Sequence, residues 1–263
     1  MGETSSQRVV VLGAGRVATH LVPALIKAGC QVSQVWSRTE DSVRQLAEPL
    51  GLAYTTSLDA IVPDADVYIF CVSDGVLPEL AERVVSRIGT VPLYLHTAGS
   101  VDLDLWHRSG ALHYGILYPL QTFSKERMVN LKEVSYFVEA SDEVTMDRVE
   151  ALAHRLSDKV FRADSTCRAR LHIAAVFACN FTNAMYDMAY RLLAEEDIPF
   201  DVLLPLIDET ASKVHALTPH DAQTGPAVRG DKTVMRNHLK ALGKDSELYE
   251  VYERISNYIN KNK

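Results

Sequence analysis

The run Val9-Val10-Val11-Leu12-Gly13-Ala14-Gly15-Arg16-Val17-Ala18 leaves the chain few ways to fold. Four consecutive apolar residues fit a strand buried on both faces, as in a parallel sheet. Gly13 then allows a tight turn, and Gly15 lets the backbone approach a pyrophosphate. The third position of such a loop need only be small for helix and strand to pack closely, and Ala18 satisfies that. A helix opening here would aim free amides and the positive end of its dipole at phosphates. The loop follows an apolar strand, opens a helix and lies in the first βαβ unit, which is the context a dinucleotide loop requires. Gly13, Ala14, Gly15, Arg16 and Val17 are the expected cofactor contacts. The alternative is an ordinary strand-to-helix turn that happens to hold two glycines.

The end of the second strand bears on which dinucleotide is bound. An NAD site usually places Asp or Glu there for the ribose hydroxyls. This chain has Trp36-Ser37-Arg38-Thr39. Arg38 can hold a phosphate through its charge and forked donors, and Ser37 and Thr39 can add hydroxyls, which favours NADP(H). Arg16 could reinforce the positive charge. In the other reading Ser37–Thr39 is a loop and helix cap, and Glu40 or Asp41 takes the ribose. Val72, Ser73 and Thr97 lie at the expected ends of later strands and complete the candidate cofactor contacts. Ser73 and Thr97 could equally cap the helices that follow them.

Short β-rich runs alternate with helical stretches through about residue 163. Strands are expected at Val9–Leu12, Gln31–Trp36, Asp66–Val72, Val91–His96, Tyr136–Glu139 and Val160–Arg162, with helices at Val17–Ala28, Glu40–Leu50, Val76–Ile88 and about Asp142–Leu156. The pattern predicts an α/β fold, Rossmann-like and doubly wound, with a mostly parallel sheet. Beyond it only helical patterns occur. Cys167–Glu196 could form one helix of roughly 40 Å, followed by Asp201–Leu217, Lys232–Leu242 and Ser246–Asn260. The expected domains are therefore 1–163, dinucleotide-binding, and 164–263, an all-helical domain for substrate and dimer contacts.

Composition narrows the function classes. The net charge of −7 argues against a nucleic-acid partner. No apolar run suits a membrane span, and no apolar leader opens the chain. Four scattered cysteines lack metal-ligand spacing and point to a reducing, cytoplasmic setting with no metal.

The helical part carries polar residues on an otherwise apolar pattern. At 100° per residue His172, Asn183 and Asp187 share one face, with Asn180 to one side. Such groups serve either a substrate cleft or hydrogen bonding between helices or across a dimer interface. His172 and Asn183 lie about 16 Å apart along a helix, too far for one small substrate to touch both. His172 is the candidate general acid or base, since histidine titrates near neutral pH. Asn180 is the candidate for orienting the reacting atom. Two loops add Gln121, in the segment His113–Phe123 expected to follow a strand, and Arg229, in Ala222–Asp231, as candidate substrate contacts.

The glycine loop, Ser37-Arg38-Thr39, YPLQTF, HIAAVFACN and QTGPAVRGD together resemble a family classed as NADP-dependent oxidoreductases, which joins a Rossmann-like domain to a helical domain of unknown function. The chain is more distantly similar to pyrroline-5-carboxylate reductase, ketopantoate reductase and the deazaflavin-dependent NADP oxidoreductases. The resemblance implies NADP(H) binding in the first domain and a homodimer formed through the helical one. Ketopantoate and hydroxyacid dehydrogenases place a catalytic lysine four residues before an asparagine on the first long helix. Here those positions are Val176 and Cys179, and no lysine occurs between Lys159 and Lys213. Tyr118 stands where many members have histidine. The expected function is hydride transfer between NADP(H) and a small polar carbonyl, imine or hydroxy compound. The rival readings are a non-catalytic NADP-binding sensor and a deazaflavin- or flavin-coupled reductase.

Overall fold

The computed structural model describes residues 6–244 and 246–262. Eight strands form one sheet: β1 (Arg8–Leu12), β2 (Gln31–Trp36), β3 (Tyr54–Thr55), β4 (Val67–Phe70), β5 (Leu93–His96), β6 (His113–Leu120), β7 (Ser135–Ala140) and β8 (Val160–Arg162). Their order is β3-β2-β1-β4-β5-β6-β7-β8. Helices α1 (Arg16–Lys27), α2 (Glu40–Ala47), α3 (Leu77–Ile88), α4 (Asp104–Arg108) and α5 (Glu143–Leu156) accompany them. The Rossmann-like, mostly parallel α/β fold expected from the sequence is what the chain adopts.

The apolar runs explain why the strands lie inside. Along β1, Val9 and Val11 enter one core with Leu21 and Leu25 of α1 and Val149 and Leu152 of α5. Val10 and Leu12 enter the other core, with Leu80 and Val84 of α3 and Trp106 of α4. The period of two thus feeds both faces, and a strand with both faces covered must be apolar throughout. Trp106 stands edge-on to Phe70, with ring centroids 4.9 Å apart, a favoured aromatic geometry.

The chain departs from the sequence reading in three places. The segment His113–Leu120 is strand β6 itself, rather than polar residues following a strand. It pairs with β7 antiparallel, Gly115 opposite Ala140, while the other strand pairs are parallel. A parallel return needs a long crossover, usually a helix. Between Leu120 and Ser135 the chain has only the short 3-10 turn Leu131–Glu133. Finally, the helix expected over Cys167–Glu196 is divided into α6 (Ser165–Ala175), a π-helical stretch over Val176–Phe181 and α7 (Thr182–Ala194).

The chain divides into two compact units, Met1–Asn180 and Phe181–Lys263. The last strand ends at Arg162, next to the sequence-expected boundary at 163, yet α6 stays with the first unit. Its Arg168, only 1% exposed, pairs with Glu139 of β7 and donates to the carbonyl of Val101. Ser165 donates to Glu139 at 2.9 Å and accepts from the Leu103 amide at 3.1 Å. The second unit holds α7, α8 (Leu204–Lys213), α9 (Pro226–Arg229), α10 (Lys232–Leu242) and α11 (Glu247–Lys261). Asp231 caps α10 by accepting from the Val234 amide at 3.1 Å. Among the described residues no helix is long and apolar enough to cross a membrane.

Candidate active site

The strand order reverses between β1 and β4, the place where open α/β sheets bind ligands. A cleft of about 310 Å³ lies there, lined by Gly13, Ala14, Gly15, Trp36, Ser37, Arg38, Ser42, Cys71, Val72, Ser73, Val76 and Lys125. The two glycines have separate duties. Gly13 has φ +119°, and a β-carbon there would fall 2.3 Å from the carbonyl oxygen of Cys71, so no other residue fits. Its amide closes the turn on the Trp36 carbonyl at 2.7 Å. At Gly15 the nearest atom to an added β-carbon is 4.0 Å away, so the missing side chain leaves open space in front of α1. Gly15 caps α1 without a side-chain hydrogen bond, and no acidic residue occupies the first turn. Those amides are therefore left for an anion. Ala18 is fully buried in the core.

Ser37 is buried and Arg38 exposed at the end of β2. Ser42, in the first turn of α2, joins them in the cleft lining. Among the described lining residues Arg38 and Lys125 are the charged ones, and no carboxylate is present. That balance suits a ligand carrying several negative charges. Arg16, Val17 and Thr39 lie beside the cleft in sequence but outside its lining. Thr39 caps α2 with extended backbone, and Glu40 and Asp41 form the exposed first turn. Thr97 is also outside the lining. Its buried hydroxyl bonds the Phe70 carbonyl at 3.3 Å, tying β5 to β4. Burial pushes the Cys71 thiol up to about 12, so it stays protonated and unreactive.

A second constellation adjoins the cleft along the same carboxyl edge of the sheet. Asp74 follows the cleft residue Ser73 and accepts a hydrogen bond from the Ser100 hydroxyl. Next to Ser100, buried Gly99 packs against both Tyr118 of β6 and His172 of α6. The Tyr118 hydroxyl and His172 Nδ1 are 3.0 Å apart. Burial raises the Tyr118 phenol above its usual range, so it keeps its hydrogen. Among the described residues no hydrogen bond engages His172 Nε2, which leaves it for a ligand. Behind the pair, Arg168 fixes α6 to the loop after β5. His96 is fully buried there, its Nδ1 accepting from the Ala98 amide at 3.2 Å and its Nε2 without a partner. Burial, with the nearby Arg168 charge, holds His96 down to about 3.

Asn180 falls in the π-helical stretch and is exposed, with no hydrogen bond to His172. Asp187 pairs with Arg191 at 2.7 Å. The shared face expected at 100° per residue presumed an unbroken α-helix, and a π turn changes that phase. Gln121 is exposed, with its side-chain Oε1 accepting from the Thr122 amide at 2.8 Å. Arg229 ends α9, exposed, in the second unit. Sequence reasoning missed Trp36, Ser42, Val76 and Lys125 in the cleft. Ser42 was detectable, one helical turn past Arg38. Lys125 carried no local signal.

The chain matches known proteins in two segments and as a whole. Residues 8–90 match the family described as NADP oxidoreductase, coenzyme F420-dependent, and residues 134–259 match a domain of unknown function (DUF2520). A Bacteroides fragilis crystal structure classed as an NADP oxidoreductase is 46% identical, with a TM-score of 0.92, over 97% of this chain and 98% of that one. A reductive aminase from Aspergillus terreus, solved with NADPH and ethyl-5-oxohexanoate, superposes with a TM-score of 0.72 at 16% identity, covering 98% of this chain and 93% of its own. Human glucose-fructose oxidoreductase domain-containing protein 2 is 25% identical over 237 residues, 86% of this chain. The chain spans 55% of the length of that curated relative.

Proposed function

Because the chain belongs to the NADP oxidoreductase family represented by the Bacteroides fragilis protein, we propose that it is an NADP(H)-dependent reductase or dehydrogenase of a small polar carbonyl, imine or hydroxy compound. The observation that carries this reading is a glycine-loop cleft with two cations and no carboxylate in its described lining, joined through Asp74 and Ser100 to the Tyr118–His172 pair. The bound nicotinamide supplies or accepts the hydride. The α1 amides beside Gly15 hold the pyrophosphate, and Arg38, Ser37 and Ser42 hold the 2′-phosphate, for which a guanidinium is well shaped. His172 Nε2 gives a proton to the substrate oxygen or nitrogen on reduction and takes it back on oxidation. Nδ1 stays bonded to Tyr118, whose hydroxyl can donate to it or accept from it, so the ring keeps its place in either charge state. Asn180 orients the reacting atom, and Gln121 binds a polar part of the substrate.

A homodimer accompanies this reading. Among the described residues of the second unit only Ala227 is buried, while Tyr190, Val202, Leu206, Val214 and Tyr258 are at least half exposed. Apolar exposure on that scale marks an interaction face, and a second copy is the occupant we propose. Four free cysteines suit a cytoplasmic setting.

The test is NADPH oxidation, followed by absorbance, against a panel of small imines, keto acids and aldehydes, with light scattering for the dimer. Turnover that is lost in His172→Ala while NADPH binding persists supports the reading. Tight NADPH binding with no turnover on any of these classes would favour the non-catalytic sensor, which the absence of lysine between Lys159 and Lys213 also allows.

A further inference from the structure

The connection between β6 and β7 reaches the cofactor cleft although nothing in its own sequence requires that path. Residues 122–130 contain no helix or strand. Two contacts with α1 define their course. His20, 2% exposed, bonds the Ser124 carbonyl through Nε2 at 2.8 Å and accepts from the Val129 amide at Nδ1, 3.2 Å away. A backbone amide can only donate and a carbonyl only accept, so the ring is fixed as the Nε2–H tautomer. Phe123 lies against the same ring, with centroids 4.8 Å apart.

Both nitrogens of a buried histidine are thus spent on the backbone of one loop, at points on either side of Lys125. The anchor sits on α1, the helix whose first turn faces the cleft at Gly15. The exposed Lys125 consequently reaches the cleft lining that Gly13, Ala14 and Gly15 also form, more than 80 residues in sequence from Arg38 and Ser42. A flexible ammonium brought to that edge acts as a point charge toward phosphate oxygens.

We propose that Lys125 is a second phosphate-holding cation, that it acts on the pyrophosphate, and that His20 is the positioning residue that delivers it. The inference rests on the NADP(H) reading of the cleft. Arg38 would distinguish the two cofactors through the 2′-phosphate, whereas the pyrophosphate is common to both. The exposed Lys125 can be changed without disturbing the fold.

The experiment is titration of the full chain with NADPH and NADH, followed by ligand fluorescence. Lys125→Ala is expected to weaken both cofactors by about tenfold and by equal factors, and to flatten the salt dependence of binding. His20→Ala is expected to weaken both to a similar degree, yet to add nothing in the Lys125→Ala background, because it acts through Lys125. Should His20→Ala fail to fold, Lys125→Ala decides the phosphate contact, and His20→Gln, which keeps a donor for Ser124 but not the acceptor for Val129, takes its place in the cycle. Unchanged affinity in Lys125→Ala, with native binding intact, overturns the inference and leaves the NADP(H) reading standing. A loss confined to NADPH overturns the pyrophosphate assignment. Absence of binding by the native protein takes down both.

Discussion

Replacing Gly99 with alanine would probe the Tyr118–His172 pair with a single methyl group. The added carbon would lie 2.7 Å from His172 Nδ1 and 2.8 and 2.9 Å from Tyr118 Cζ and Cε2. Comfortable contact is about 3.5 Å, so each ring must retreat by roughly 0.7 Å. Gly99 is buried and is not in the positive-φ region, so the effect is steric rather than a backbone strain. The 3.0 Å hydrogen bond stretches beyond bonding range and the imidazole loses its fixed orientation. A displacement of that size at a proton-transferring group costs about 10²-fold in kcat. Gly99 is outside the cleft lining, so NADPH affinity should stay within about twofold of native. Steady-state NADPH oxidation and a fluorescence titration measure the two quantities on one preparation. Tyr118→Phe removes the same hydrogen bond without the wedge and should account for much of the loss. Turnover near the native rate in Gly99→Ala, in a protein whose rings have demonstrably moved apart, would refute the proton-transfer role.

Other perturbations test the supporting structure. Gly13→Ala forces a β-carbon into the Cys71 carbonyl and should abolish cofactor binding, with a stability loss of about 2 kcal/mol or more in denaturant melts. Arg168→Met leaves Glu139 without its cation in a site where the arginine is 1% exposed; a loss of roughly 3 kcal/mol in urea unfolding is expected, together with lower kcat. His96 resists protonation when folded, so the unfolded chain takes up a proton that the folded one refuses. Its contribution is complete above about 6.5 and falls as pH drops from there toward about 3. His96→Asn, which keeps an acceptor for the Ala98 amide, should flatten stability against pH in that window; an unchanged slope would show that the ring titrates normally.

The legible parts of the fold were those with local causes. Four apolar residues before Gly13 mark a strand covered on both faces, and the alternation downstream of it marks a mostly parallel sheet, as found. Two-residue β3 and five-residue α4 are too short for any period to register. The strand at His113–Leu120 gives no clear apolar signal because its polar and aromatic residues belong to a half-buried end and to the Tyr118–His172 contact. The π turn at Val176–Phe181 depends on hydrogen-bond register, which residue type alone does not announce. In the site, Gly13, Gly15 and Arg38 follow from spacing along one βαβ unit. Lys125 arrives through His20, 105 residues earlier in the chain, and Tyr118 meets His172 across 54 residues. Such pairings are made by the sheet order, so they become visible only after folding.

The cleft's two cations and lack of a carboxylate point to one decisive comparison: calorimetric titration of NADPH and NADH into the native protein and Arg38→Ala. Native protein should bind NADPH more tightly, and Arg38→Ala should lose that preference, weakening NADPH by about 10- to 100-fold, the worth of a charged hydrogen bond, while leaving NADH nearly unchanged. Equal weakening of both cofactors, or tighter native binding of NADH, would contradict the assignment of this cleft to NADP(H).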